Sequence, residues 1–298
     1  MAKTIITASL TGAVTPKEIN PYIPLTPKEI AEDAVRVWKK GAAIVHLHMR
    51  DEEGHGTMDK ARFKEAVDRI RDTTDLVINL TSSGGKDYPC DEVRFEHIQL
   101  LKPEMCSYDV GSFNWLPGPI FDNTPDFLRK LGKVCIENNI KPEIEVFDFG
   151  MINAAVYFQE KEKVLPEGSL HFQLCLGVLG QAKATAYNVA EMSRLLPPGS
   201  TWSAFGVGAG HLPVLYTALA CGGNIRVGLE DNVYYKKGVL ATNEMLVERA
   251  ARVVREFGNE VATPDEAREI LHRVTRAIVR ASASSPPLDP PCRTMIPT

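Results

Sequence analysis

The sequence has no uninterrupted apolar run long enough to cross a membrane, although 44% of its 298 residues are hydrophobic. Residues 1–8 also lack the long apolar core of a signal peptide. Positive charge is not in excess, because 34 basic side chains stand against 38 acidic ones, for a formal net charge of −4. The composition therefore argues against nucleic-acid and membrane partners. We expect a cytoplasmic protein that binds small molecules or copies of itself.

Cysteine pairs and linkers are also absent. The six cysteines are scattered, and no two of them form a C-x-x-C motif. This spacing favours reduced, mostly buried thiols over a disulfide framework or a zinc knuckle. No low-complexity linker divides residues 1–280, which we predict to form one catalytic domain. Residues 281–298 are rich in serine and proline, and we expect this tail to pack on a neighbouring subunit.

Short β-type runs alternate with amphipathic segments along the chain. The runs cover residues 4–10, 43–48, 76–81, 105–110, 143–147, 170–176, 201–205 and 224–229. The amphipathic segments include residues 27–40, 59–73, 125–138 and 185–196. Each is long enough to return the chain for a parallel strand. The order predicts an α/β fold, a single-domain (β/α)8 TIM barrel. Thr26, Thr124 and Thr263, each followed by proline, are predicted helix N-caps.

Two histidines one residue apart close the second run. Strand side chains alternate faces, so His46 and His48 project the same way. Barrel closure makes the first and eighth strands neighbours, and the second lies next to the first, so Glu230 after the last run can meet this pair. Two imidazoles and one carboxylate can hold a metal and leave a position open. The alternative is that the histidines are core residues and Glu230 caps the following helix.

Charged residues near the same strand ends are further candidates. Arg50 continues the alternation of the histidines, and Arg226 stands four residues before Glu230. A guanidinium there can bind a substrate carboxylate or orient a neighbouring one, although Arg50 can equally be a structural partner of an acidic loop. Asp231 and Glu145 are candidates for a general base or its support. The alternative for both acids is an internal salt bridge.

Two loops carry weaker signals. The third run leads into hydroxyl side chains and glycines at residues 81–85, which can bind a carboxylate or carbonyl oxygen. Serine and glycine also fill ordinary turns. Residues 206–211 are glycine-rich but have the wrong spacing for a dinucleotide fingerprint, so at best they form a phosphate- or substrate-approach loop.

Six motifs, taken in order, resemble those of the β-keto acid cleavage enzymes. They are residues 7–13 (TASLTGA), 46–50 (HLHMR), 82–85 (SSGG), 102–105 (KPEM), 142–145 (PEIE) and 223–232 (GNIRVGLEDN). The resemblance runs from residue 4 to about residue 267. The ordered set is far more specific than any one motif.

The resemblance implies a zinc-dependent (β/α)8 enzyme, usually a homotetramer, that converts a β-keto acid and acetyl-CoA into acetoacetate and a new acyl-CoA. By this likeness the zinc ligands are His46, His48 and Glu230. Asp231 with Arg226 would serve the proton transfer, and Ser82 and Glu145 would support the site. We expect substrate contacts from Val14, Arg50, Ser82, Gly85 and Ser107.

One departure from the family pattern bears on the substrate. The family's type member carries a glutamate that binds the ammonium group of its substrate, and this chain has Val14 there. Valine cannot neutralise a cation, so we predict a β-keto acid whose far end is uncharged or anionic. Ser107 replaces a threonine and keeps the hydroxyl. Residues 206–211 lack an arginine that the corresponding segment of the type member carries.

Two other functions stay open on the sequence alone. Metal-dependent hydrolases of the amidohydrolase type also carry H-x-H at a strand end, but normally on the first strand and with histidines at later strand ends. Here His171 falls at the start of its run, away from the expected active face. The second of these functions is a non-catalytic barrel that binds a ligand and has kept the metal. The presence of Arg226, Glu230 and Asp231 argues against it.

Overall fold

Eight parallel strands close into a barrel and confirm the predicted (β/α)8 fold. The computed structural model describes residues 1–84 and 90–271. The barrel strands are β1 (Ile6–Ser9), β2 (Ile44–Leu47), β3 (Val77–Leu80), β4 (Met105–Asp109), β5 (Lys141–Val146), β6 (His171–Leu176), β7 (Thr201–Gly206) and β8 (Asn224–Val227). Each predicted run overlaps one strand, with ends that differ by at most two residues. In the register, Ser9 pairs with His46 and Arg226 with Thr7, so β8, β1 and β2 lie side by side.

Helices surround the barrel and return the chain between strands. They are α1 (Pro27–Lys40), α2 (Lys60–Thr73), α3 (Glu96–Leu101), α4 (Pro125–Glu137), α5 (Phe149–Tyr157), α6 (Ala186–Leu195), α7 (His211–Ala220), α8 (Asn243–Glu256) and α9 (Pro264–Ile270). Thr26, Thr124 and Thr263 each accept a backbone N–H at a helix start, which confirms the three predicted N-caps. Side-chain caps satisfy N–H groups that a helix start would otherwise leave without partners.

The two faces of the barrel wall differ in polarity. Outward side chains such as Ile6, Val45 and Leu47 are fully buried in the apolar core beneath the helices. Inside, an apolar cluster closes the end at which the strands begin, and Ile44 and Met105 belong to it. The inward positions above that cluster are polar and buried, so each needs a hydrogen-bonding or charged partner. The functional groups therefore lie in a polar layer near the C-terminal ends of the strands.

Short antiparallel hairpins extend the loops that follow β2, β4 and β8. They pair Met49–Arg50 with Gly56–Thr57, Phe113–Asn114 with Ile120–Phe121, and Tyr234–Lys236 with Val239–Leu240. The sequence did not predict these hairpins, because strands of two or three residues carry too little alternation to be recognised.

The structure also bears on the expectations about the cysteines and about membrane crossing. No disulfide joins the five cysteines within the described residues, and the Sγ atoms of Cys106 and Cys135 lie 3.4 Å apart. Within residues 1–84 and 90–271, no helix combines the length and apolar character that a membrane crossing requires. The predicted domain boundary at residue 280, the tail 281–298 and Gly85 lie outside the described residues.

Candidate active site

The C-terminal ends of the barrel strands open into a cavity of about 1570 Å³. Its lining includes His46, His48, Arg226, Glu230 and Asp231. Small-ligand sites usually measure roughly 300–1,000 Å³, so this cavity has room for more than one compact substrate. Because the catalytic groups of barrel enzymes come from this face, the cavity is the candidate active site.

The structure brings the predicted metal ligands together. Glu230 Oε1 lies 3.7 Å from His46 Nε2 and 3.5 Å from His48 Nε2. Both histidines are buried, and the Glu230 side chain is 17% exposed. Gly12 makes room for this carboxylate, because a Cβ at that position would lie 2.7 Å from Glu230 Cγ. The alternation of β2 and the closure of the barrel thus produce the predicted three-residue set.

The charge state of this set suits a metal. Burial lowers the pKa of His46 to about 4, so its imidazole is neutral at pH 7 and can donate a lone pair. Burial also opposes ionisation of Glu230, but His48 and Arg226 outweigh it and hold the pKa of that carboxyl well below its ordinary value. Glu230 Oε2 is buried and has no hydrogen-bond partner among the described residues. Two imidazoles and one carboxylate with a spare oxygen form a suitable zinc-type donor set.

A second set of possible ligands lies beneath the first and shares His46 with it. It comprises His46, Glu143 and Glu145. Glu143 is fully buried, and its Oε1 accepts a hydrogen bond of 2.7 Å from Asn79. Glu145 Oε1 lies 3.3 Å from Arg226. Because the Glu230 side chain is 17% exposed and that of Glu143 is fully buried, the Glu230 set is more open to the cavity, and we favour it as the metal site.

Arg226 links the acidic residues of the site. Its Nε and Nη2 each donate to one oxygen of Asp231 over 3.0 Å, and Nη2 also donates to Glu230 over 2.7 Å. Burial opposes the charge of Arg226, but Asp231, Glu230 and Glu145 raise its pKa well above the ordinary value. Arg226 is thus a permanent cation, and its bidentate contact fixes the plane of the Asp231 carboxylate.

Asp231 has a second partner that the sequence did not reveal. The Ser9 hydroxyl donates to Asp231 Oδ2 over 2.6 Å. Gly228 permits this approach, because a Cβ there would lie 1.9 Å from the Ser9 carbonyl oxygen. Burial raises the pKa of Asp231 above its ordinary value, and Arg226 offsets part of that effect. Asp231 is therefore a stronger base than an exposed aspartate and is fixed in orientation.

Glu145 is half of an acid pair whose other member, Asp109, the sequence did not reveal. Burial and the nearby Asp109 raise the pKa of Glu145 well above its ordinary value, and burial also raises the pKa of Asp109. Two buried carboxyl groups close to one another favour protonation of one over two charges. Glu145 is consequently better suited to donate a proton than to accept one. The signal for Asp109 is its place two residues after Ser107, on the same face of β4.

Hydrogen bonds fix the loop after β3, which carries several hydroxyl side chains. Ser82 is fully buried, and its hydroxyl donates to the Ser107 carbonyl oxygen over 2.8 Å. Arg94 Nε donates to the Ser82 carbonyl oxygen over 2.9 Å. Thr81, Ser83 and Ser107 line the cavity instead. Substrate contacts from Ser82 and from Ser107 both stay predictions.

Arg50 and Val14 lie near the cavity mouth. The Arg50 guanidinium donates to the backbone carbonyl oxygens of Gly12, Thr11, Thr15 and Gly54. It therefore joins the loops after β1 and β2, which fits the structural alternative better than a substrate contact. Val14 lines the mouth and is 70% exposed.

The glycine-rich loop after β7 also borders the cavity. Residues 207–209 lead into α7, which begins at His211. The Asn232 side chain holds this loop, because its Oδ1 accepts from the Gly208 N–H and its Nδ2 donates to the Gly206 carbonyl oxygen. Asn232 directly follows Asp231, so one short segment fixes both the candidate base and the loop.

Sequence comparison identifies the family. A family model described as beta-keto acid cleavage enzyme matches residues 3–272. The chain belongs to the beta-keto acid cleavage enzyme family. This membership, together with the site geometry, favours cleavage of a β-keto acid over the hydrolase and binding-barrel alternatives.

Several relatives in this family match nearly the whole chain. The 3-keto-5-aminohexanoate cleavage enzyme of Fusobacterium nucleatum is 44% identical over 272 residues, covering 91% of this chain and 98% of that protein. The 3-dehydrocarnitine:acetyl-CoA trimethylamine transferase of Rhizobium meliloti is 37% identical over 91% of this chain and 97% of its own length. The 3-oxoadipate:acetyl-CoA acetyltransferase of Cupriavidus necator is 35% identical over 90% and 94%.

A solved structure supports the fold assignment. The apo structure of ObcA aligns with a TM-score of 0.72 at 21% sequence identity, covering 85% of this chain and 66% of that chain. At this identity the likeness concerns the barrel architecture alone.

Proposed function

We propose that this beta-keto acid cleavage enzyme condenses a β-keto acid with acetyl-CoA and releases acetoacetate and a new acyl-CoA. The observation that carries the proposal is the Asp231 carboxylate, which Arg226 and Ser9 hold in the cavity next to the His46–His48–Glu230 set. The names of two relatives that pair a keto acid with acetyl-CoA support the choice of co-substrate.

We further propose that His46, His48 and Glu230 hold one divalent metal of the zinc type. The neutral His46 imidazole and the buried Glu230 Oε2 without a hydrogen-bond partner fit such an ion. Three protein ligands leave a position for substrate. When bound, the metal would polarise a carbonyl oxygen and stabilise negative charge that develops there.

Asp231 is the proposed base. It would accept a proton from C2 of the β-keto acid, the carbon between the keto and carboxylate groups. The C2 carbanion attacks the thioester carbonyl of acetyl-CoA, and the carbon–sulfur bond breaks with release of the CoA thiolate. The thiolate adds to the original keto carbonyl, and the bond from that carbon to C2 breaks. C2 then takes the proton back from Asp231, which completes acetoacetate and the new acyl-CoA.

Arg226 and the acid pair have supporting parts in this sequence. Arg226 keeps the Asp231 oxygens in one plane, so the base does not rotate away from the substrate. Glu145, whose raised pKa favours its protonated form, can donate a hydrogen bond to an oxygen that gains negative charge.

The proposed substrate is a β-keto acid whose far end is uncharged or anionic. Val14 offers an apolar side chain at the cavity mouth and has no group that pairs with a cation.

A substrate panel tests the reaction. The purified protein is incubated with acetyl-CoA and β-keto acids that differ in the charge of the far end, and acetoacetate and acyl-CoA products are measured by mass spectrometry. Metal content is measured on the same preparation. Absence of both products from every member of the panel, with a folded and metal-loaded protein, would overturn the proposed reaction.

A further inference from the structure

The hairpin after β8 forms a cationic rim at the cavity mouth. Lys236 and Lys237, at its tip, both line the cavity and are exposed. Gly238 makes the turn, with a φ of 76°. Within the part of the chain that the structure describes, no ion pair or hydrogen bond engages either ammonium group. Other lysines, such as Lys40 with Glu248, do have acidic partners.

Contacts at the base of the hairpin fix its position and leave the ammonium groups of the two lysines uninvolved. Arg249 donates to the Tyr235 carbonyl oxygen over 2.6 Å and lies 4.3 Å above the Tyr235 ring. The Asn20 side chain donates to the Val233 carbonyl oxygen over 2.9 Å. The base is therefore tied to α8 and to the loop after β1, while the tip keeps its charge available.

The remaining charges of the cavity favour this rim as the place for an anion. The Arg50 guanidinium already donates to backbone carbonyl oxygens, and the Arg226 guanidinium already pairs with carboxylates. The exposed acids Glu53 and Asp122 line the mouth on the loops after β2 and β4. A polyanion that enters the cavity is thus attracted to the hairpin and repelled from other parts of the rim.

The cavity wall that the loop after β7 and the start of α7 form carries apolar side chains. Val207, Leu212 and Pro213 line it, and the neighbouring Tyr234 is 52% exposed. A long, weakly polar arm can follow this wall and bring a thioester to Asp231 while its nucleotide end stays at the mouth. An exposed tyrosine ring there is suited to stack against a nucleotide base.

We propose that Lys236 and Lys237 bind the phosphate groups at the nucleotide end of acetyl-CoA. The proposal rests on the proposed use of acetyl-CoA as co-substrate. Each ammonium group forms a charge-assisted hydrogen bond with a phosphate oxygen. The contacts lie far from the reacting carbon, so they contribute to binding of the co-substrate and not to the chemical step.

The test compares two thioesters in the double variant Lys236→Ala/Lys237→Ala. S-acetylpantetheine keeps the thioester and its arm but lacks the nucleotide and its phosphates. We expect the ratio of kcat/KM for acetyl-CoA to that for S-acetylpantetheine to fall about 10-fold, through KM for acetyl-CoA, because two exposed charge pairs are lost. Lys39→Ala is the matched control, because Lys39 is an exposed lysine in the last turn of α1, at the opposite end of the barrel.

A binding measurement separates this proposal from the proposed reaction. Calorimetry with adenosine 3′,5′-bisphosphate needs no turnover, and we expect its dissociation constant to rise about 10-fold in the double variant and not in Lys39→Ala. If no acetyl-CoA is consumed but the bisphosphate binds in a lysine-dependent way, the reaction is wrong and the lysine site stands. An affinity and a thioester ratio equal to those of the control would overturn the lysine site. An equal loss with both thioesters would also overturn it, since the lysines would then act through hairpin structure.

Discussion

Replacing Asp231 by Asn tests the centre of the proposed mechanism. Asparagine has nearly the same size but cannot accept a proton at the substrate carbon. Loss of a general base lowers rates by roughly 10²- to 10⁴-fold, which is about 2.7–5.4 kcal/mol of barrier at 1.36 kcal/mol per decade. We expect kcat to fall within this range. The metal content should stay unchanged, because Asp231 is not part of the His46–His48–Glu230 set.

The hydrogen bonds around Asp231 give the expected cost in stability. The carboxylate accepts from Arg226 Nε, Arg226 Nη2 and the Ser9 hydroxyl. An asparagine oxygen can keep the Nη2 bond, and the serine hydroxyl can rotate to accept from the new amide, but Nε–H then faces another donor. One charge-assisted hydrogen bond is lost, at about 1.5–3 kcal/mol. Arg226 keeps Glu230 as a counter-charge, so the protein should stay folded.

The assay combines single-turnover kinetics, thermal unfolding and metal analysis. Ser9→Ala is the matched control, because it removes one neutral donor to Asp231 and leaves the carboxylate in place. The Ser9 hydrogen bond lowers the pKa of Asp231, so its loss should raise that pKa and shift the acidic limb of the kcat/KM profile to higher pH. The proposed role fails if the folded, metal-loaded Asp231→Asn protein keeps kcat within about 5-fold of the unmodified protein.

Three further changes have defined outcomes. His48→Ala should remove bound metal and turnover together, measured by elemental analysis and product formation, while the exposed His55→Ala should keep both; a metal-loaded, active His48→Ala protein would contradict the ligand set. Val14→Glu should improve kcat/KM for an amino-substituted β-keto acid over its alkyl counterpart by at most about 5-fold, because Val14 is 70% exposed and an exposed charge pair contributes about 1 kcal/mol or less. A better use of the amino substrate by the unmodified protein would show that another acid supplies the contact. Burial opposes ionisation of Glu29, but the backbone N–H groups of Thr26 and Leu25 outweigh it and lower its pKa to about 2, so its contribution to stability is full above about pH 4.5 and is lost as the pH falls towards 2. Glu29→Gln should flatten the pH dependence of unfolding in that window, and an unchanged slope would exclude the capping carboxylate as its cause.

Local patterns in the sequence were sufficient for the barrel and for the histidines. Alternation fixes which face of a strand a side chain occupies, and a closed parallel barrel places consecutive strands side by side. These two rules predicted that His46, His48 and Glu230 would converge although they are far apart in the chain. Helix starts such as Thr26 were equally readable, because a cap depends on neighbouring residues only.

Only the tertiary structure decided which partner each polar group takes. The polar interior offers several acids within reach of Arg226, and packing selects Asp231 for the bidentate contact while Glu145 lies near Asp109, which raises its pKa. The chain could not indicate that Ser82 turns its hydroxyl to the Ser107 carbonyl oxygen. Loop conformation depends on hydrogen bonds between segments distant in sequence, and burial and hydrogen bonding then set the pKa values, so these features have no local signature.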